Sequence, residues 1–372
     1  MLKPLLICLG IIILASCKKD DSKEELTVPE CPYSNIIEAG DTRGFKMGFS
    51  TWPYGPEAFD VDSTYAFIKR NGDIYSEHLD NKIPWTAWIN GSTLPEEFIN
   101  SIAYKASKRA NDMELLLSVS LLNTSRNELM EDFDGNFPEY ENLNDQHIED
   151  AYFNHLSYLI DALDPNYMVL AIEANQLLIN SEVKWEAYKL LMANIRFRIK
   201  QAYPDLPTSE SMTLHDWQFV EPSYPPGYSQ EVADYISNLD FAAISFYPFL
   251  EGFQSKNEFQ SAFDFLHENV SIPIAFVETG HISEDLILND LNFSTVGSRC
   301  GQQAYLEVLL LNSQENVYLF DIWWTFADYD ALWEIFPAEL QELGSIWLNT
   351  GLIDETGEAK PAYKLWKESF SN

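Results

Sequence analysis

Eight short runs rich in β-branched and aromatic residues alternate with longer amphipathic runs from Phe45 to the end of the chain, and this predicts a parallel sheet closed into a (β/α)8 barrel. Two further observations support that class. About 330 residues follow the first 42, enough for eight strand-helix units with insertions in their loops. The alternative, an open doubly wound sheet, lacks its phosphate-binding sequence, since neither GxGxxG nor GxxxxGKS occurs. The candidate strands are Lys46–Ser50, Asp73–His78, Glu114–Ser120, Tyr167–Glu173, Ser209–His215, Phe241–Tyr247, Pro273–Glu278 and Val317–Trp324. Between them, helical periodicity covers Val61–Arg70, Pro95–Asn111, Asp145–Leu163, Val183–Ala202, Gln230–Asn238, Glu258–Asn269 and Gly301–Asn312, with a closing helix at Pro361–Phe370.

Composition bounds the partners. Of 372 residues, 46% are hydrophobic and 22% charged, so the chain has material for a large core and is not globally disordered. Lys+Arg total 23 against 58 Asp+Glu, and a net charge of −35 repels phosphate backbones and anionic headgroups, so no nucleic-acid partner is expected. The 10 Trp and 19 Tyr offer flat apolar faces of the type sugar rings stack against. With 6 scattered His and no close Cys/His spacing, neither a metal nor another cofactor is expected.

The leading residues point to export. Lys3 precedes an uncharged run from Pro4 to Ser16, shorter than the ~20 residues a spanning helix needs. It ends in Leu14-Ala15-Ser16-Cys17, which resembles a bacterial lipobox; residues 1–16 would be a lipoprotein signal peptide and Cys17 the lipidated first residue of the mature chain. The Lys18-Lys19-Asp20-Asp21-Ser22-Lys23-Glu24-Glu25 run resembles the export signal of surface lipoproteins in the Bacteroidota. That resemblance implies a lipid-anchored protein of the outer membrane at the cell surface, next to glycan-uptake machinery, with residues 17–42 as an acidic tether and 43–372 as the barrel. Residues 26–42 read as a linker or as a first segment covering the barrel. An exported protein could join Cys31 to Cys300.

In such a barrel, chemistry sits at the C-terminal ends of the strands. The fourth run, Met168-Val169-Leu170-Ala171-Ile172-Glu173, and the seventh, Ile274-Ala275-Phe276-Val277-Glu278, are both apolar and both stop at a glutamate. One such residue is what a solvated strand end often looks like. Two across one barrel mouth are the minimum equipment for breaking a glycosidic bond, one to protonate the leaving oxygen and one to attack or stabilise the oxocarbenium-like carbon. Trp52, His78, His215 and Asn175 follow other strand ends and are candidate sugar-binding groups, as are Thr51, Tyr54, Asp80, Asn123, Asp216 and Trp217.

At Val277-Glu278-Thr279-Gly280, Ser245-Phe246-Tyr247-Pro248 and Asp321-Ile322-Trp323-Trp324 the sequence resembles the retaining glycoside hydrolases of clan A, and most nearly the endo-β-1,4-galactanases and related members. The resemblance implies Glu173 as acid/base, Glu278 as nucleophile, Tyr247 as its orienting hydroxyl and Trp324, rather than Trp323, as a sugar platform. It also implies that Glu173 is kept protonated by desolvation and by the negative charge beside it. The sequence departs from the family in one place: Ile172 stands where an asparagine usually precedes the acid/base, and Asn175 lies two residues after it. Two other readings are a non-catalytic surface glycan-binding lipoprotein on a degenerate barrel, in which aromatic faces are kept without acid/base tuning, and a lyase or isomerase, which would need a metal or phosphate site.

Overall fold

The computed structural model describes residues 31–34, 36–37 and 42–371. The signal-peptide residues, Cys17 and the tether up to residue 30 lie outside the described residues.

Strands β1 (Lys46–Ser50), β2 (Ile74–Leu79), β3 (Glu114–Val119), β4 (Tyr167–Val169), β5 (Thr208–Ser209), β6 (Ser211–Thr213), β7 (Ala242–Phe246) and β8 (Ile274–Thr279) lead to a hairpin, β9 (Leu286–Leu288) and β10 (Phe293–Thr295), and then to β11 (Phe320–Trp323). All but the hairpin form one parallel sheet in the order β5-β4-β3-β2-β1-β11-β8-β7-β6. β5 pairs with β4 and β6 with β7, so the two are halves of one stave interrupted at Glu210, and through it the barrel closes with eight staves. The interruption has a cause. Glu210 is fully buried and bonds outward to Arg196, Tyr188 and Tyr235, so its side chain belongs to the surrounding helices rather than to the ladder.

Alternation along each stave sorts side chains into two cores. Ile74, Leu116, Val169, Phe241, Ala243, Ala275, Val277, Phe320 and Ile322 form one buried cluster, the barrel interior. Residues of the opposite parity, such as Tyr75, Leu115, Leu117, Phe246 and Phe276, pack in a larger cluster with helix faces, for example Leu156 and Leu159 of helix Gln146–Leu163. That helix runs 18 residues because its apolar positions recur at helical spacing, and it ends at Asp164, whose left-handed φ of 49° turns the chain into β4.

A strap precedes β1. Cys31 is disulfide-bonded to Cys300 with Cα atoms 5.3 Å apart, the Cys31 carbonyl accepts from Gln303, the Ser34 N–H donates to Glu307 at 3.0 Å, and the Gly44 N–H donates to Gln314 at 2.9 Å. These partners lie in order down helix Arg299–Asn316, so the strap descends from the rim of the barrel to its base, where β1 begins. Ile36 and Ile37 are buried against the main core, so these residues cover the barrel.

Candidate active site

Both candidate glutamates break the alternation that orders the rest of the barrel. Val277 points inward, so a regular strand would send Glu278 outward to the helices. Instead Ile244 pairs with Phe276 while Ser245 pairs with Glu278, and on the other edge Asp321 pairs with Phe276 while Trp323 pairs with Thr279, so the extra residue is in β8. This bulge in β8 turns Glu278 to the inner face, and Thr279 then points outward to the Phe246 carbonyl and the Tyr305 hydroxyl. Gly280 completes the turn: a Cβ there would lie 2.7 Å from the Trp324 carbonyl oxygen.

On the other side, β4 pairs regularly only as far as Val169, short of the predicted end at Glu173. Ile172 turns its side chain into the interior cluster, and Glu173 adopts a left-handed φ of 54°. Its N–H donates to Ser211 Oγ at 2.8 Å, and the next N–H, of Ala174, donates to the Ser211 carbonyl. The irregular backbone therefore delivers Glu173 to the mouth with Ile172 beneath it, and leaves no amide at the position before the glutamate.

The two carboxylates hang from one strand. Ser245 Oγ donates to Glu173 Oε1 at 3.0 Å, and Tyr247 OH donates to Glu278 Oε1 at 2.6 Å. Residues two apart on a strand share a face, about 6.6 Å apart at their Cα atoms, so β7 is a ruler between the pair. The other oxygens meet different company. His78 Nδ1 lies 3.3 Å from Glu278 Oε2. Burial holds His78 below its ordinary range despite the charges of Asp80 and Glu173, which favours the neutral imidazole beside the Glu278 carboxyl. Glu173 Oε2 instead faces Arg126, with Nη2 at 3.1 Å and Nε at 3.3 Å, and the same guanidinium grips Asp80 through Nη1 at 3.3 Å and Nη2 at 3.2 Å. Burial opposes the charge on Asp80, but Arg126 outweighs it and holds that carboxyl below the usual range. Arg126 is 5% exposed, itself left-handed at φ 50°, and bonded to Ser120 Oγ and the Asn123 carbonyl.

Burial, and next the Glu173 charge, push Glu278 well above the ordinary carboxylate range, with the Tyr247 hydrogen bond acting against them. The group driven toward its neutral form in the open site is thus Glu278, while Glu173 has a guanidinium beside it.

Aromatic rings wall the site. Trp324, of inward parity in continuation of β11, packs edge-on against His78 at 5.2 Å between ring centres and tilted against Trp52 at 5.5 Å, and Trp347 meets Tyr247 at 5.9 Å. The indole N–H groups of Trp52, Trp324 and Trp347 are buried without a protein partner. Trp323 points the other way and donates to the Thr350 carbonyl.

Asn175 does not face this hollow, which corrects its expected role. It is fully buried and its amide bonds Thr213 and the Tyr228 hydroxyl, because residue 175 begins helix Asn175–Asn180 behind the glutamate. His215 lies in short helix Leu214–Gln218 rather than in a strand; its Nε2 is 3.7 Å from Asp216, its Nδ1 is unpartnered, and none of its polar contacts reaches Glu173 or Glu278. Trp217 is buried and donates to the Ser229 carbonyl, Thr51 bonds buried Glu77, and Tyr54 packs against Phe326. Arg126, Ser245 and Trp347 escaped the sequence reading. Ser245 had a signal, its shared parity with Tyr247; Arg126 and Trp347 come from long loops and had none. Among the described residues no His, Cys, Asp and Glu cluster is arranged to hold a metal ion.

No protein-family model matches the chain, and no curated protein matches it in sequence. Solved structures do match. The Ignisphaera aggregans GH53 catalytic domain superposes with a TM-score of 0.58 at 14% identity, over 91% of this chain and 99% of that one. The fold is shared with glycoside hydrolase barrels. A GH5_18 protein of Bifidobacterium longum subsp. longum, in complex with Manβ1-4GlcNAc, gives 0.63 at 14% identity over 88% of this chain and 78% of its own. An exo-β-1,4-mannosidase of an Opitutaceae bacterium gives 0.61 at 13% identity, covering 93% of this chain and 62% of that one. At these identities the likeness establishes the barrel fold.

Proposed function

We propose that the chain is a glycoside hydrolase that cleaves a β-linked poly- or oligosaccharide with retention, by double displacement. The observation that carries this reading is the pair of glutamates, brought by two backbone irregularities to hydroxyls two residues apart, Ser245 on β7 and Tyr247 just after it. Glu278 attacks the anomeric carbon as the glycosidic C–O bond breaks, and Glu173 gives its proton to the departing oxygen. Water then adds its oxygen to that carbon and its proton to Glu173, and Glu278 leaves as carboxylate. With Glu278 pushed toward its neutral form in the open site, the productive arrangement needs its proton displaced. The positive charge that develops at the anomeric carbon favours that ionised state. The three unpartnered indole N–H groups are suited to hydroxyl-rich ligands.

The substrate class follows from two resemblances, the sequence likeness to endo-β-1,4-galactanases and the structural likeness to the mannosidase and the Manβ1-4GlcNAc complex. Galactan and mannan are therefore the first substrates to try. Export and lipidation at Cys17, with exposure at the outer-membrane surface beside glycan-uptake machinery, complete the proposal and are in keeping with the Cys31–Cys300 disulfide. Labelling with a fatty-acid probe, lost in Cys17→Ala, tests the anchor.

The deciding experiment measures reducing ends released from β-1,4-galactan, β-1,4-mannan and a panel of plant and algal β-glycans, with Glu278→Ala alongside and product anomers followed by NMR. Release by the native chain, abolished in the variant, with a first product of substrate configuration, is expected. Binding without release on every glycan overturns the enzyme and leaves the glycan-binding lipoprotein.

A further inference from the structure

A second hollow adjoins the acid/base side of the mouth. After β3 the chain forms a small hairpin, closed by an antiparallel bridge between Leu122 and Leu129, with Arg126 near its tip. One side of this turn holds Glu173 through the Arg126 guanidinium. Its flanking residues Asn123 and Asn127 line a cavity of about 660 Å³, together with Phe137, Tyr140, Lys184 and the carboxylates of Glu128 and Glu139. That volume is in the range of small-ligand sites.

The lining has a specific chemistry. Phe137 leaves 47% of its surface exposed in a polar loop, an open aromatic face. The Tyr140 hydroxyl is buried and has no partner. Asn123 donates its amide to Asn127 Oδ1 at 3.0 Å, which holds the two amides as a pair at the wall. Lys184 is neutralised locally, donating to Glu128 Oε2 and to the Asn127 carbonyl, both at 2.8 Å. An apolar face, fixed amides and two carboxylates as acceptors, with no unpaired cation, suit a neutral, hydroxyl-rich ring with one apolar side. A further hollow, bordered by Glu182, Glu186, Glu231 and Asp234, has twice as many carboxylates and offers no such exposed ring.

We propose that the hollow at Asn127 and Phe137 is a binding subsite for the leaving-group end of a neutral β-linked glycan, with the Phe137 ring as its platform. The assignment rests on Glu173 as acid/base: the sugar whose oxygen Glu173 protonates lies on that side, and residues further along the same chain pass the Arg126 turn into the hollow. The loop after β3 thus has two roles. Its Arg126 face steadies the acid/base, and its outer face takes up the part of the glycan that departs.

The test compares Phe137→Ala, Asn127→Ala and the ring-preserving Phe137→Tyr on β-1,4-linked galacto-, manno- and gluco-hexaoses and on the 2,4-dinitrophenyl β-glycosides of the same sugars, whose leaving group ends at one ring. For the hexaose cleaved best, the loss of kcat/KM in Phe137→Ala should exceed the loss on the aryl glycoside at least tenfold, and Phe137→Tyr should recover most of it. Equal losses on both substrates, or no loss on either, overturn the subsite. Hexaose affinity, measured by calorimetry in a Glu278→Gln background with and without Phe137→Ala, separates this from the enzyme reading. If the native chain hydrolyses nothing but Phe137→Ala still weakens hexaose binding tenfold, the subsite stands without the enzyme. If no hexaose binds, or binding ignores Phe137, it falls.

Discussion

Around Glu278 the touching polar groups are neutral, the Tyr247 hydroxyl and the His78 imidazole, whereas Glu173 meets the Arg126 guanidinium, which is shared with Asp80. The same side chain is thus given two environments a few ångströms apart. In one, burial and a neighbouring carboxylate raise the cost of charge; in the other, a buried guanidinium lies at hydrogen-bond distance. In the proposed mechanism two identical carboxylic acids take different jobs, and their neighbours come from separate places: Arg126 after β3, His78 near the end of β2, Tyr247 just after β7.

That contrast can be broken in stages. Removing the nucleophile should cost most: Glu278→Ala is expected to lose about 10⁴-fold in kcat on any β-glycan the native chain cleaves, as removal of a reacting group does elsewhere. An added azide ion should restore some turnover, with product of inverted configuration by NMR. Glu173→Gln should lose about 10²- to 10⁴-fold on natural glycans, where the leaving oxygen needs a proton, and much less in the first step with a 2,4-dinitrophenyl glycoside, which stopped-flow release of the phenolate measures.

Smaller effects test the neighbours. Arg126→Met strands Asp80 and frees Glu173; a loss of about 3 kcal/mol in urea unfolding and about 10- to 100-fold in kcat/KM is expected, with Arg126→Lys recovering charge but not the forked geometry. Tyr247→Phe removes one bond to a carboxylate, worth about 1.5–3 kcal/mol, and should lower kcat by about tenfold or somewhat more with little change in KM. The smallest effect is on stability. Because Glu278 keeps its proton to higher pH folded than unfolded, the native chain loses stability as pH rises from about 4.3 to the raised Glu278 position, and no further beyond it. Glu278→Gln should match the native chain near pH 4 and exceed it increasingly toward pH 9, by thermal or urea unfolding; a constant gap across that range would remove burial as the cause.

The barrel was legible because period-2 apolar runs and period-3.6 faces alternate without conflict; β1 and the closing helix Pro361–Phe370 lie where the pattern puts them. Tyr247 and Trp324 were reached through the family resemblance, and strict alternation from Phe241 and Phe320 turns both inward. The glutamates were found by position and not by direction: alternation from Val277 would have turned Glu278 away, and only the bulge in β8 reverses it. Asn175 failed because a residue two places after a strand end need not remain in the mouth; the left-handed turn at Glu173 feeds it into a helix and a buried hydrogen-bond set. Glu210 splits the fifth stave for a reason set by partners on two other helices, information no local window holds.

The disulfide at the rim ties Cys31 to the first turn of the helix whose far end meets Gly44, so the strap is fastened at both ends of that helix. Reduction would undo the fastening on the side where the strands finish and leave the one at the base.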